Sequence, residues 1–297
     1  MFARIGTGLT LAKASWQVLK ADRSLVVFPI ISAITALFAI AAVLAPWWLG
    51  FDAGSATSGV AGSEETQTSP LVWVLLGVAG YVATAVSIFF NVALASCAAR
   101  SLDGVDTKVG EGIAAASALL PRILGWALIA FVVGLLLRAL DELADEAPFP
   151  LSIIANIGVA LVGMAWSAVT FLVIPVLALE DVGPKEALHR SKSLIIQKWG
   201  EGLAGNVGIG LAVFVITGLP AILLMALGGA AFESSPELGV GLISFGAMVL
   251  VVGSIVGSTL SQVFAVALHR YATTGETAPG FGAVDMQQAF RHGKRAS

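Results

Sequence analysis

Charge is what this 297-residue chain has least of: Asp, Glu, Lys and Arg together make up 12% of it, against roughly 25% in an ordinary soluble domain. With 57% apolar residues and a mean hydropathy of +0.92, a water-soluble fold of this size would have far too little polar surface to cover its interior. A formal net charge of −3 and a pI of about 5.6 leave no basic footprint for nucleic acid. Cysteine is almost missing as well. Cys97 stands alone in an apolar run, which excludes an intrachain disulfide and any metal site built from several thiolates; it reads as packing. The three histidines, His189, His269 and His292, do not stand at metal-ligand spacing from one another or from Cys97. GxSxG, Walker A and HExxH are absent, and no GxGxxG occurs in the context it needs. The chain is therefore expected to be no enzyme and to hold no cofactor or metal.

Long apolar runs are what it has instead. A helix advances about 1.5 Å per residue, so crossing a hydrocarbon core of about 30 Å takes roughly 20 apolar residues. Six stretches qualify: 24–49, 70–99, 121–140, 150–179, 203–230 and 238–268. The first is too long for the apolar core of a secretory signal and ends in Trp47 and Trp48, so it is expected to stay as a span. Fifteen of the 16 basic residues fall on one side of this threading, and only Arg138 falls on the other. The opposite loops carry Asp52, Glu64, Glu65, Asp141, Glu142, Asp145, Glu146, Glu233 and Glu237. Lys and Arg near span ends are retained in the cytoplasm, which predicts a multi-pass protein of the plasma (cell) membrane with both termini cytoplasmic. Trp16, Trp73, Trp126 and Trp199 read as interfacial anchors, like Trp47 and Trp48. Trp166, near mid-span, reads as a core filler or as the wall of a lipid groove.

Three cytoplasmic segments share a plan of short amphipathic helix, turn and span. In 184–199, Ala187, Ser191, Leu194, Ile195 and Trp199 project to one face, with Lys185, His189, Lys192 and Gln197 opposite; Pro184 suits the first helical turn. In the N-terminal segment Leu9, Ala12, Trp16 and Leu19 share a side, with Lys13, Gln17 and Lys20 opposite. The third copy, 107–120, is rich in Ala and Gly. Such helices are expected to lie in the interface plane. The fold expected is thus all-α, a polytopic membrane helix bundle of six transmembrane helices plus three cytoplasmic interfacial helices. Residues 1–270 form one domain of three tandem units, about 4–100, 105–180 and 183–270, and 271–297 form a cytoplasmic tail.

Polar residues within spans are functional candidates, because hydrocarbon offers them no partner. Asn91, Asn156, Asn206 and Gln262 head a set that also includes Ser87, Ser167, Thr170, Thr217, Ser254, Ser258 and Thr259. They either line a shared cavity or hydrogen-bond across packed helices. Gly253 and Gly257 form a GxxxG pair, and Gly202, Gly205, Gly208 and Gly210 crowd the start of the fifth span; close helix packing is the preferred reading. Pro175 and Pro220 should kink the fourth and fifth spans. Arg138 should pair with Asp141, Glu142 or Asp145 near the outer end of the third. Lys185, Arg190, Lys192 and Lys198 are candidate contacts for anionic lipid.

The stretches FFNVALASCAARSLDG, ILGWALIAFVVGLLLRAL, PVLALEDVGPKEALHRSKSLIIQKWGE and LHRYATTGE resemble a family of prokaryotic membrane proteins, from actinobacteria and haloarchaea, known as a domain of unknown function. The resemblance runs from about residue 4 to 290. More distantly, GPKEALHRSKSLI is similar to a helix in the membrane domain of some glycerophosphodiester phosphodiesterases, without their catalytic domain. The resemblance implies fold and membrane location, and it brings no activity. Three functions remain open. The first is a non-catalytic membrane-organising, lipid-binding or partner-binding role; the second is a permease-like transporter of a small solute or lipid; the third is a lipid-modifying enzyme around His189, Arg190 and His269.

Overall fold

The computed structural model describes residues 13–48, 70–199, 210–232, 234–277 and 281, and their regular structure is entirely helical. Helix α1 (13–21) leads through a 3-10 turn (Arg23–Val26) into α2 (Val27–Trp48). Then follow α3 (Pro70–Leu102), α4 (Val109–Ala118), α5 (Leu120–Asp145), α6 (Leu151–Thr170), α7 (Val173–Leu179) and α8 (Pro184–Trp199). Helices α9 (Gly210–Ala231) and α10 (Pro236–Thr274) complete the chain. Helices α2, α3, α5, α6 with α7, α9 and α10 are each long and apolar enough to cross a membrane. Consecutive spans pack in pairs, α2 with α3, α5 with α6 and α9 with α10, while α3 also touches α4, α5, α7 and α10 and so forms the hub.

The core sits at one end. Its buried residues include Leu25 in the 3-10 turn and Phe28 at the start of α2, Val92 to Ala95, Cys97 and Ala98 in the second half of α3, Ile123, Trp126 and Ala127 at the start of α5, Leu172, Val173, Val176 and Leu177, and Val263 to Leu268 in α10. This end, the basic end, carries every described lysine and arginine except Arg138. Towards the other end α6 buries no residue, and Leu37, Phe38, Leu135, Leu136, Ile153 and Ile154 are exposed. Lipid tails are as apolar as these side chains, so nothing drives them together in a bilayer. Apart from the seam between α9 and α10, tight packing is concentrated where loops and short helices must be held.

Helices α9 and α10 meet along a glycine seam. Gly239, Gly246 and Gly253 are buried and seven residues apart, a spacing that keeps one small face turned to a neighbouring helix. A Cβ on Gly239 would lie 2.8 Å from the Gly228 carbonyl oxygen, one on Gly246 2.9 Å from that of Ala221, and one on Gly253 would collide with Thr217. Gly257 faces Val213 at 3.0 Å, so the GxxxG pair packs as expected. Gly210 does not, having nothing within 4 Å, and Gly202, Gly205 and Gly208 lie outside the described residues.

Pro175 and Pro220 each mark a departure from α-helix. Pro175 has no N–H for the Phe171 carbonyl and its ring crowds that group; the fourth span is interrupted between α6 and α7 at Phe171 and Leu172. Ser191 of α8 fills the break, its hydroxyl donating to the Val169 carbonyl at 2.5 Å and accepting from the Leu172 N–H at 3.3 Å. Freed backbone groups at membrane depth need such a partner. Ser191→Ala should therefore cost about 1–3 kcal/mol, read as a lower temperature at which the detergent-solubilised protein stays monodisperse. In α9, Pro220 follows a π-helical turn (Phe214–Gly218) closed by the Leu219 N–H on the Phe214 carbonyl.

Several expectations need correction. The third span runs on to Asp145 instead of stopping at Leu140, and the sixth to Thr274, where Gly275 ends it in the left-handed region at φ 76°. Tyr271 thus continues a helix and opens no tail; Phe281 is buried in the core, and 282–297 lie outside the described residues. The 39 residues of α10 span about 58 Å at 1.5 Å each, so it projects well beyond the hydrocarbon. Trp126 is no interfacial anchor: it is buried and stacks on Trp166 with centroids 6.1 Å apart. Helix α1 turns Ala14, Ser15 and Leu19 inward and leaves Trp16 exposed, a face rotated from the expected one; Leu9 and Ala12 lie outside the described residues. Helix α8 buries Ala187, Ser191, Leu194 and Ile195 as the projection requires. That face packs on α5, α6 and α7, so protein and not lipid takes it. Gly112 and Ala116 of α4 are buried likewise.

Candidate functional site

Ionic links join the segments of the basic end. Asp22 is buried and accepts from the Thr107 hydroxyl at 2.6 Å, from the Ser24 hydroxyl at 2.6 Å and from the Ser24 N–H at 3.0 Å, tying the start of the first span to the approach to α4. Arg100 of α3 pairs with Glu111 of α4 at 2.6 Å. Arg122 of α5 reaches Asp181 at 2.5 Å, and Arg270 of α10 reaches Asp103 and, at 3.7 Å, Glu276. Glu180, just after α7, serves two partners: its Oε1 lies 2.8 Å from Nε2 of the buried His269, and its Oε2 accepts from Nε of Arg190 at 3.1 Å.

Among the described residues the cations of this end divide largely by type; Arg23 is the exception, an exposed arginine that no ion pair joins to a described residue. Arg100, Arg122, Arg190 and Arg270 are used in the links. Lys13, Lys20, Lys108, Lys185 and Lys192 are exposed, and no ion pair joins them to a described residue. The planar guanidinium suits fixed multi-point pairing, whereas the ammonium is a strongly hydrated mobile charge. Arg190 is accordingly a structural partner of Glu180, while Lys185 and Lys192 face outward with His189; the side chain of Lys198 lies outside the description. Of His189, Arg190 and His269, only the last two meet, through Glu180. At the other end Arg138 is 4.0 Å from Glu142, both highly exposed, a link of little weight.

Among the described residues the intramembrane polar side chains do not converge on one cavity. Asn91, with Thr84, Ser87 and Thr170, lines a sideways-open groove of about 460 Å³ between α3, α5 and the fourth span, beside the stacked Trp126 and Trp166. Thr84 and Thr170 are already satisfied by carbonyls of their own helices. Asn156 lies ten residues before Trp166, about 15 Å along the helix, where its amide donates to Asp145 at 3.0 Å. Gln262 is half-buried in α10 and lines no part of this groove; Asn206 lies outside the described residues. Thr217, Ser258 and Thr259 bond back to their own helices. A second groove, of about 470 Å³, runs between α1 and the α9–α10 pair and shares no lining residue with the first. Among the described residues no three of His, Cys, Asp and Glu gather as a metal site would require.

Fold and site together define an all-α, multi-span integral membrane protein whose basic end is clamped by ion pairs. The chain belongs to a family of unknown function, DUF6159, whose model matches residues 71–281. The matched region is shorter than the 4–290 expected from the sequence and leaves out α1 and α2. No curated protein and no solved structure matches the chain, and the distant likeness to the membrane domain of glycerophosphodiester phosphodiesterases gains no support.

Proposed function

We propose that this protein performs no chemistry of its own and serves as a plasma-membrane organiser, binding lipids or partner proteins at its cytoplasmic face. The supporting observation is that four arginines of the basic end are held in ion pairs while its described lysines, with Arg23, are exposed and joined to no described acid. A rigid scaffold that displays mobile cations beside the membrane suits anionic headgroups, each lysine near such a surface contributing about 1 kcal/mol. The positive-inside rule assigns the basic end, and both termini with it, to the cytoplasm; a reporter fused after Ser297 should be active inside the cell. The order of α1, α4 and α8, each before a pair of spans, supports a reading of three tandem units in one domain whose last helix continues to Thr274.

Replacing Lys185, Lys192 and Lys198 together by Gln should lower the phosphatidylglycerol that co-purifies with the protein several-fold, while leaving its thermal stability unchanged. Unaltered co-purification would refute the reading. Arg190 is left in place because its loss would undo the link to Glu180. A permease-like role for a small solute or lipid draws on the Asn91 groove. The second half of α3 and residues 263–268 of α10 pack together in the core at the basic end, and the two grooves share no residue, so it is the lesser reading.

A further inference from the structure

We infer that the groove between α1 and the α9–α10 pair holds one acyl chain of an anionic phospholipid, with its phosphate at Lys13. The inference rests on the lipid-binding reading above and names the site. Val213 and Ile216 of α9 and Val252, Val256 and Leu260 of α10 give the groove hydrocarbon walls. The one hydroxyl among the walls, that of Thr217, already donates to the Val213 carbonyl at 2.7 Å, so below Lys13 and Trp16 the lining offers a polar solute no free side-chain donor. From Leu260 to Val252 is eight residues, about 12 Å along the helix, close to the depth of one leaflet of a core about 30 Å thick.

The mouth supplies the complementary charge. Lys13 and the exposed Trp16 line it, and Nζ of Lys20 stands 5.9 Å from the centre of the Trp16 ring. Two ammonium groups thus flank an indole at the level where headgroups lie. The same site explains two departures from regularity. Trp16 faces outward, away from the core. The π-helical turn (Phe214–Gly218) bulges α9 where Ile216 and Thr217 form the wall, and such turns recur at functional sites.

The test uses the full-length protein in nanodiscs containing a minority of phosphatidylglycerol in phosphatidylcholine, with a benzophenone amino acid in place of Ile216. Cross-linked phosphatidylglycerol should exceed its share of the bilayer several-fold. Lys13→Glu should return it to that share, and Val252→Trp, which fills the groove, should reduce cross-linking to either lipid. Cross-linking in proportion to bulk composition would overturn the assignment. So would an enrichment that survives Lys13→Glu, or capture of this chain's own residues 1–12 or 200–209. If Val252→Trp does not fold, the surface substitution Lys13→Glu still decides. Should the α8 lysine variants lose anionic lipid while Ile216 shows no enrichment, this site falls and the broader reading stands; the converse result keeps the groove and removes α8 from that reading.

Discussion

Gly112→Ala should destabilise the protein by about 1–3 kcal/mol, the usual cost of overpacking a filled interior, while Gly134→Ala should be neutral or slightly stabilising. Both glycines lie inside helices, where Ala is otherwise preferred by roughly 0.5–1 kcal/mol, so the pair isolates packing from propensity. A Cβ on Gly112 would stand 2.7 Å from Cζ of Phe28, 2.8 Å from Sγ of Cys97 and 2.9 Å from the Ala93 carbonyl oxygen, whereas one on Gly134 meets nothing within 4 Å. Phe28 and Cys97 are themselves buried, and the Ala93 oxygen belongs to the hub helix α3, so none of the three can retreat cheaply. Trimming the ring by Phe28→Leu should restore only part of the loss, since the backbone contact remains. The readout is the temperature at which each detergent-solubilised variant ceases to be monodisperse. Equal temperatures for the two glycine variants would show that α4 is not seated against α2 and α3 as described.

That contact was not legible in the sequence, and the reason is physical. Hydrocarbon thickness dictates how long and how apolar a span must be, which is why all six spans could be read. It is silent on where a helix stops once outside the hydrocarbon, and α5 continues through Asp141, Glu142 and Asp145 because charged residues do not end a helix in water. The stripe of α8 was readable because lysines and histidine alternate with Leu194 and Ile195. In α1 the same projection favours Trp16, the largest apolar residue, yet the site against the core takes Ala14, Ser15 and Leu19, a choice made by the neighbours' shape. Pro175 announces a break in the fourth span, but the group that heals it, Ser191, comes from a later helix. Asn91 and Asn156 are conspicuous as polar residues, while their separation depends on depth within different helices. The acids Asp22, Asp103, Glu180 and Asp181 had a signal, since they flank span ends on a side otherwise rich in cations. Orientation rules count cations and give acids little weight, so those four partners emerge only with the structure.

Replacing Glu180 by Leu should cost about 1–3 kcal/mol, because it strands a buried imidazole nitrogen without a partner. His269 is almost wholly enclosed and its Nε2 lies 2.8 Å from the carboxylate, which also receives Arg190 at 3.1 Å. One acidic side chain therefore joins the end of the fourth span to α8 and to α10. Adding His269→Leu to Glu180→Leu should recover most of the loss, since it removes the buried imidazole that the first substitution strands, and a polar pair exchanged for apolar residues of similar volume is often neutral. The double-mutant cycle, read from thermal stability in detergent, should thus be strongly non-additive; additive losses would show that the carboxylate does not hold His269. The same substitution reaches function through geometry. With Arg190 released, α8 loses a tether at its N-terminal half, where Lys185 and Lys192 are displayed. Glu180→Leu should then reduce co-purifying phosphatidylglycerol although no lysine has been touched, and Glu180→Leu with His269→Leu should restore stability without restoring lipid, because Arg190 still has nothing to grip.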